Sequence, residues 1–119
     1  MQYLLLIYGN EKQYDAMSEA DHAKIMGEFM SFSQDIVRSG HYRAGNELNR
    51  TSTATTIRVR DQKRSVTDGP FAETKEQLGG YYLVEAKDLD EAVDIAARIP
   101  SARWGAIEVR PIIPHPVPA

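Results

Sequence analysis

Six consecutive apolar side chains, Tyr3-Leu4-Leu5-Leu6-Ile7-Tyr8, open the chain and leave it few folds. Successive side chains of a strand point to opposite faces, so a run that is apolar at odd and even positions buries both of them. Such a strand belongs in the middle of a sheet, with a layer on each side. The run is too short to cross a bilayer, and it lacks a basic lead-in and a small-residue cleavage site, so it reads as neither membrane span nor leader. Gly9 and Asn10 end it, and a polar connection is expected after them.

Ser18-Glu19-Ala20-Asp21 is a helix-capping pattern, with Ser18 placed to accept a first-turn amide and acidic groups near the positive helix end. The helix predicted from it runs to about Ser39, because Ile25, Phe29, Phe32 and Ile36 recur at helical spacing and Met26, Met30 and Val37 widen the stripe. Gly40 is a natural stop. After His41-Tyr42-Arg43-Ala44-Gly45, residues Thr53 to Arg60 alternate as a half-buried strand, with Asp61-Gln62-Lys63-Arg64 as the turn and Ser65 to Asp68 pairing back. A return strand is expected over Gly80 to Ala86. Asp88-Leu89-Asp90-Glu91 is a second cap, for a helix with Leu89, Ala92, Val93 and Ala96 on its buried face and Pro100 as its stop. Ala106 to Arg110 is the last strand. The prolines crowded beyond it make residues 111–119 a Pro-rich C-terminal arm on a single domain of residues 1–110.

Strand, helix, strands, helix, strand is the order of an α+β fold. We expect a ferredoxin-like open antiparallel sheet with both helices on one face. The other face then needs a cover, and the simplest is the sheet of a second subunit in a homodimer, as in a dimeric α+β barrel. A chain of 119 residues buries one core, and a second buried surface on a partner would matter to it.

Charge and composition exclude several functions. The 14 basic residues are scattered among 17 acidic ones, without the clustered footprint of a nucleic-acid binder. The chain has no cysteine, which removes disulfides, thiolate nucleophiles and zinc ribbons and fits a cytoplasmic address. His41 and His115 lack ligand-spaced partners, so no metal is expected. Neither G-x-G-x-x-G nor a Walker lysine motif occurs, so no nucleotide cofactor is expected either. Asn49-Arg50-Thr51 matches a glycosylation sequon by coincidence.

The richest segment is Val66-Thr67-Asp68-Gly69-Pro70-Phe71-Ala72-Glu73-Thr74-Lys75-Glu76-Gln77-Leu78-Gly79-Gly80-Tyr81-Tyr82. Pro70 restricts both itself and Gly69, and Asp68 can bond amides further on, so the strand exit is stiff. Phe71 is then an anchor for the core or a subunit interface. Gly79-Gly80 allows close backbone approach before Tyr81 and Tyr82 point to opposite faces. This segment resembles the DGPF group of YCII-related proteins, a similarity that runs along nearly the whole chain. The resemblance implies a dimeric α+β barrel and a largely unassigned activity. Its members look like genomic neighbours of extracytoplasmic-function sigma factors, which implies a functional link to one.

Asp68, as a general base or a ligand-orienting acceptor, is the leading chemical candidate, with Glu73 and Lys75 as ligand-binding groups on the same loop. Tyr8, Tyr81, Tyr82 and Arg110 are further ligand-binding candidates, as phenols in a cavity and an anion partner at a strand end; plain core and solvated surface are the alternatives. His22 lies on the apolar stripe and should face inward at the helix start. In the broader superfamily a histidine there resembles half of a proposed His-Asp pair, whose acid precedes a proline after the second helix. Here that step is Ile99-Pro100, so the pair is broken and capping or packing is the stronger role for His22. Trp104 is read as a core or dimer contact. Three functions stay open: a small-molecule binding or sensory accessory protein, an acid-base enzyme with Asp68 as base, and a structural partner without a ligand.

Overall fold

In the computed structural model, which describes residues 1–118, the apolar run forms strand β1 (Gln2–Gly9). It lies inside a four-stranded antiparallel sheet with β2 (Tyr42–Glu47), β5 (Gln77–Glu85) and β6 (Ala106–Pro111), in the order β2-β5-β1-β6. Helices α2 (Glu19–Arg38) and α3 (Leu89–Ala97) pack on one face, as a ferredoxin-like α+β fold requires. The pleat decides which apolar residues meet them. Tyr3 and Leu5 face the helices with their partners Val84 and Tyr82, and join Phe32, Ile36, Ile95 and Ile99 in the core. Leu4, Leu6, Tyr81 and Leu83 face the other way and stay half-buried, so within one chain only one face of β1 has its layer.

The helix ends follow the capping chemistry. Asp21 N–H donates to Ser18 Oγ at 3.1 Å, Glu91 N–H donates to Asp88 Oδ1 at 2.9 Å, and Gly40 takes φ +84° after α2. On α2, Ile25, Phe32 and Ile36 are buried, but Met26, Met30 and Val37 are exposed by 48%, 61% and 57% and form an open flank instead of core. On α3 the buried face is Ala92, Ile95 and Ala96, whereas Leu89 and Val93 are half exposed. The helix is rotated from the expected face because Ile95 and Ile99 fill the core while two alanines admit close approach.

The expected polar connection after β1 is a helical turn, α1 (Glu11–Asp15), because the Asn10 side-chain carbonyl accepts from the amides of both Lys12 and Gln13. A larger difference concerns residues 55–68. β3 (Thr55–Arg60) and β4 (Lys63–Asp68) form a two-stranded sheet of their own. β2 pairs directly with β5, Asn46 opposite Tyr81, so the hairpin has no place in the main sheet and projects from it. Its half-buried alternation is therefore lost, and only Thr56 is partly covered. The turn is Asp61-Gln62, both left-handed at φ 52° and 64°, the geometry that matches strand twist in a two-residue hairpin loop.

β6 also runs further than expected. Pro111 pairs with Tyr3 and Ile112 N–H donates to Gln2 O at 2.9 Å, which an edge strand allows because the missing proline donor faces away from the ladder. Residues 112–118 have no regular structure. No described helix is long and apolar enough to cross a membrane.

Candidate functional site

Beside the open flank of α2, toward the β2 edge of the sheet, lies a concavity of about 1090 Å³. Met26, Phe29 and Met30 line it from α2, Gly45 from β2, Gly80 and Tyr82 from β5, and Trp104 from the turn before β6. Glycine is required at two of these positions. A Cβ at Gly45 would stand 2.9 Å from the Tyr82 ring, and one at Gly80 would stand 2.9 Å from the Asn46 carbonyl. The bare backbone thus lets the Tyr82 ring lie close against β2.

Tyr82 is the polar centre of the apolar part. Its ring meets Phe32 edge-on at 5.2 Å and its hydroxyl shares a 2.7 Å hydrogen bond with Ser33 on α2. Burial pushes the phenol pKa up; the Ser33 bond opposes that and Tyr42 adds to it, so Tyr82 stays a neutral hydroxyl at physiological pH.

A second polar group closes the end of the concavity near α1. Glu11 accepts from Thr51 N–H at 3.0 Å and Thr51 O–H at 2.7 Å, while its own amide donates to Gln77 Oε1 at 3.0 Å. Burial pushes the Glu11 pKa up, but the two Thr51 bonds and the Arg50 charge outweigh it and hold the carboxyl below its usual value. Arg50 pairs with Asp15 and lies 5.2 Å above the Tyr14 ring. Tyr14 in turn stacks on His22 at 4.4 Å. His22 Nε2 sits 2.6 Å from Tyr14 O, and since a carbonyl only accepts, Nε2 carries the hydrogen. His22 thus holds α1 to the start of α2 and is half-buried, not part of the core. Ser101, at the same concavity, has a buried Oγ without a partner among the described residues.

Of the residues singled out in the sequence, Tyr8, Tyr81 and Tyr82 line this concavity. Tyr81 accepts from Asn46 Nδ2 at 2.8 Å. Asp68 is exposed at the end of β4, Glu73 and Lys75 are exposed on the loop beyond the hairpin, and Arg110 is exposed on β6 opposite Leu4; none of the four lines it. The strand exit is stiff for a different reason than an Asp68 side-chain bond. Gly69 takes φ +101°, its N–H donates to Ala54 O at 2.7 Å, and Thr56 Oγ1 donates to Gly69 O at 2.8 Å. Phe71 is 78% exposed, so in one chain it plugs no core, and Trp104 is 38% exposed at the concavity rather than buried. Glu11, Tyr14, Ser33, Arg50 and Thr51 were not evident as site residues. Ser33 interrupting an apolar stripe and Asn10 capping a turn that begins with Glu11 were the available signals.

A sheet of this order with two helices on one face defines a small ferredoxin-like α+β protein whose α2 flank frames an aromatic concavity. A family model for the YCII-related domain matches residues 1–116, and the chain belongs to that family. It is 37% identical over 114 residues to an uncharacterized protein of Rhizobium meliloti (strain 1021), covering 94% of this chain and 92% of that one.

Proposed function

We propose that this YCII-related protein binds a small organic molecule in the concavity beside α2 and works as a homodimeric sensory accessory protein. The observation that carries the reading is the concavity itself: about 1090 Å³, walled by Met26, Phe29, Met30 and Trp104, with the hydroxyls of Tyr82 and Ser33 converging on it. Apolar walls with a few placed polar groups are the usual build of a ligand pocket. The half-buried apolar face of Leu4, Leu6 and Leu83 supports the homodimer, since a second sheet would supply the layer it lacks. A link to an extracytoplasmic-function sigma factor and a cytoplasmic address belong to the same reading. An acid-base enzyme using Asp68 would need that carboxylate at the pocket, and within one chain it is exposed at the end of β4.

A metabolite-library thermal-shift screen, repeated on Phe29→Ala and Tyr82→Phe, tests the pocket. A hit whose stabilisation is lost in either variant supports it. A hit that both variants bind as well as the wild type, or no hit at all, counts against it.

A further inference from the structure

We infer that the β3–β4 hairpin is an arm that docks on a second copy of the chain, laying its apolar face on the partner's α2 flank and so carrying the Asp68–Phe71 segment to the partner's concavity. The inference rests on the homodimer proposed above. In a hairpin, residues directly opposite share a face, so Ile57 with Val66 and Val59 with Arg64 line one side of the arm. Ile57, Val59 and Val66 are 60%, 57% and 58% exposed, although a lone two-stranded ribbon is marginal in water without an apolar face to bury. Among the described residues the arm packs extensively against no other element of its own chain.

Overall dimensions agree with an arm held away from its own body. The radius of gyration is 16.5 Å, against roughly 13.5 Å for a compact domain of this length, and the molecule is a flat 48 × 46 × 22 Å. Two apolar surfaces on the helical side are uncovered, Leu89 with Val93 on α3 and the Met26, Met30 and Val37 flank of α2, and of these the α2 flank borders the concavity. Setting the arm on that flank covers both.

Charge decides the partner. The arm carries Arg58, Arg60, Lys63 and Arg64 against Asp61 and Asp68, within a chain of 14 basic and 17 acidic residues. None of those cations has an ion-pair partner among the described residues. Two arms laid on each other would bring like charges together, whereas the rest of the chain, left with 10 basic and 15 acidic residues once the arm's four and two are taken away, attracts them; at the concavity itself Glu11 and Glu47 stand beside Arg38 and Arg50. The exchange also accounts for why the ionisable signature residues and the aromatic concavity are separate within one chain. They meet across the dimer.

The absence of cysteine makes the test clean. Val66→Cys and Met30→Cys chains, each carrying one thiol at an exposed position, are co-expressed and treated with a short bismaleimide. The expected product is a covalent link between position 66 of one chain and position 30 of the other, formed in preference to links between like variants. A wild type that sediments as a monomer at all concentrations overturns both the homodimer and the arm. A dimer without this link, or a V66C/M30C double variant that links within one chain, overturns the arm alone. Independently, the I57K/V66K variant, altered only at exposed positions, should weaken dimerisation at least tenfold, and unchanged dimerisation refutes the docking.

Discussion

Alanine placed at Gly105 and at Gly27 should shift stability in opposite directions, although the chemical change is the same. At Gly105 the added Cβ would stand 2.3 Å from the carbonyl oxygen of Tyr8 and 3.3 Å from that of Ser101. Real Cβ contacts essentially never fall below 3.0 Å, so the backbone must move by about 0.7 Å. No side chain can swing aside to relieve it, and the Gly105 amide is itself held by a 2.8 Å bond to Ser101 O. Forcing a methyl into such a space costs about 2–3 kcal/mol. In a domain of this size that lowers Tm by roughly 10 °C. At Gly27, in the exposed interior of α2, the Cβ meets nothing within 4 Å. Alanine there gains helix propensity, about 0.5–1 kcal/mol. Urea unfolding of both variants is the assay. A Gly105→Ala protein as stable as the wild type, or a Gly27→Ala protein destabilised like Gly105→Ala, would show that the backbone contact between Tyr8 and the turn before β6 does not govern stability.

Tyr82→Phe removes the hydroxyl bonded to Ser33 and should cost about 1 kcal/mol at neutral pH. Because folding raises the phenol pKa above 10.0, the stability it contributes is intact below pH 10 and fades as pH rises through the folded value. The stability-versus-pH curve of the variant should therefore be flatter there, and parallel curves would contradict the assignment. Glu11→Gln tests the opposite sign: its carboxyl lies below 4.5 in the fold, so wild-type stability relative to the variant should be present above pH 4.5 and vanish on acidification. Gln62→Gly relieves a left-handed residue at φ 64° and should stabilise the hairpin locally by about 1 kcal/mol, seen as slower amide exchange in β3 and β4. Unchanged exchange would mean that the turn is not what limits hairpin opening.

What could be read in advance was mostly local. Ser18 and Asp88 cap the helices they were expected to cap, since an Ncap bond needs only residues three apart. Alternation across Tyr81 and Tyr82 placed their rings on opposite faces for the same reason. Thr53 to Arg60 alternates as a half-buried strand should, yet alternation does not say which strands become neighbours. Once β2 pairs with β5, the hairpin is left outside the sheet. Thr51 and Glu11 are far apart in the chain, and no periodicity links them. Their contact exists because α1 folds back toward the segment after β2.

The sequence by itself determined the antiparallel α+β class, the central place of β1, the starts of α2 and α3 and the family signature. These depend on period, capping and turn chemistry, which act over a few residues. Only the tertiary structure decided that Met26, Met30 and Val37 form an open flank, that Ser33 meets Tyr82, that His22 serves Tyr14, and that Asp68 ends a projecting arm with Phe71 exposed just beyond it. Each of those follows from strand order and helix rotation. Both are set by how residues distant in sequence fill one core, a constraint that no short stretch of the chain contains.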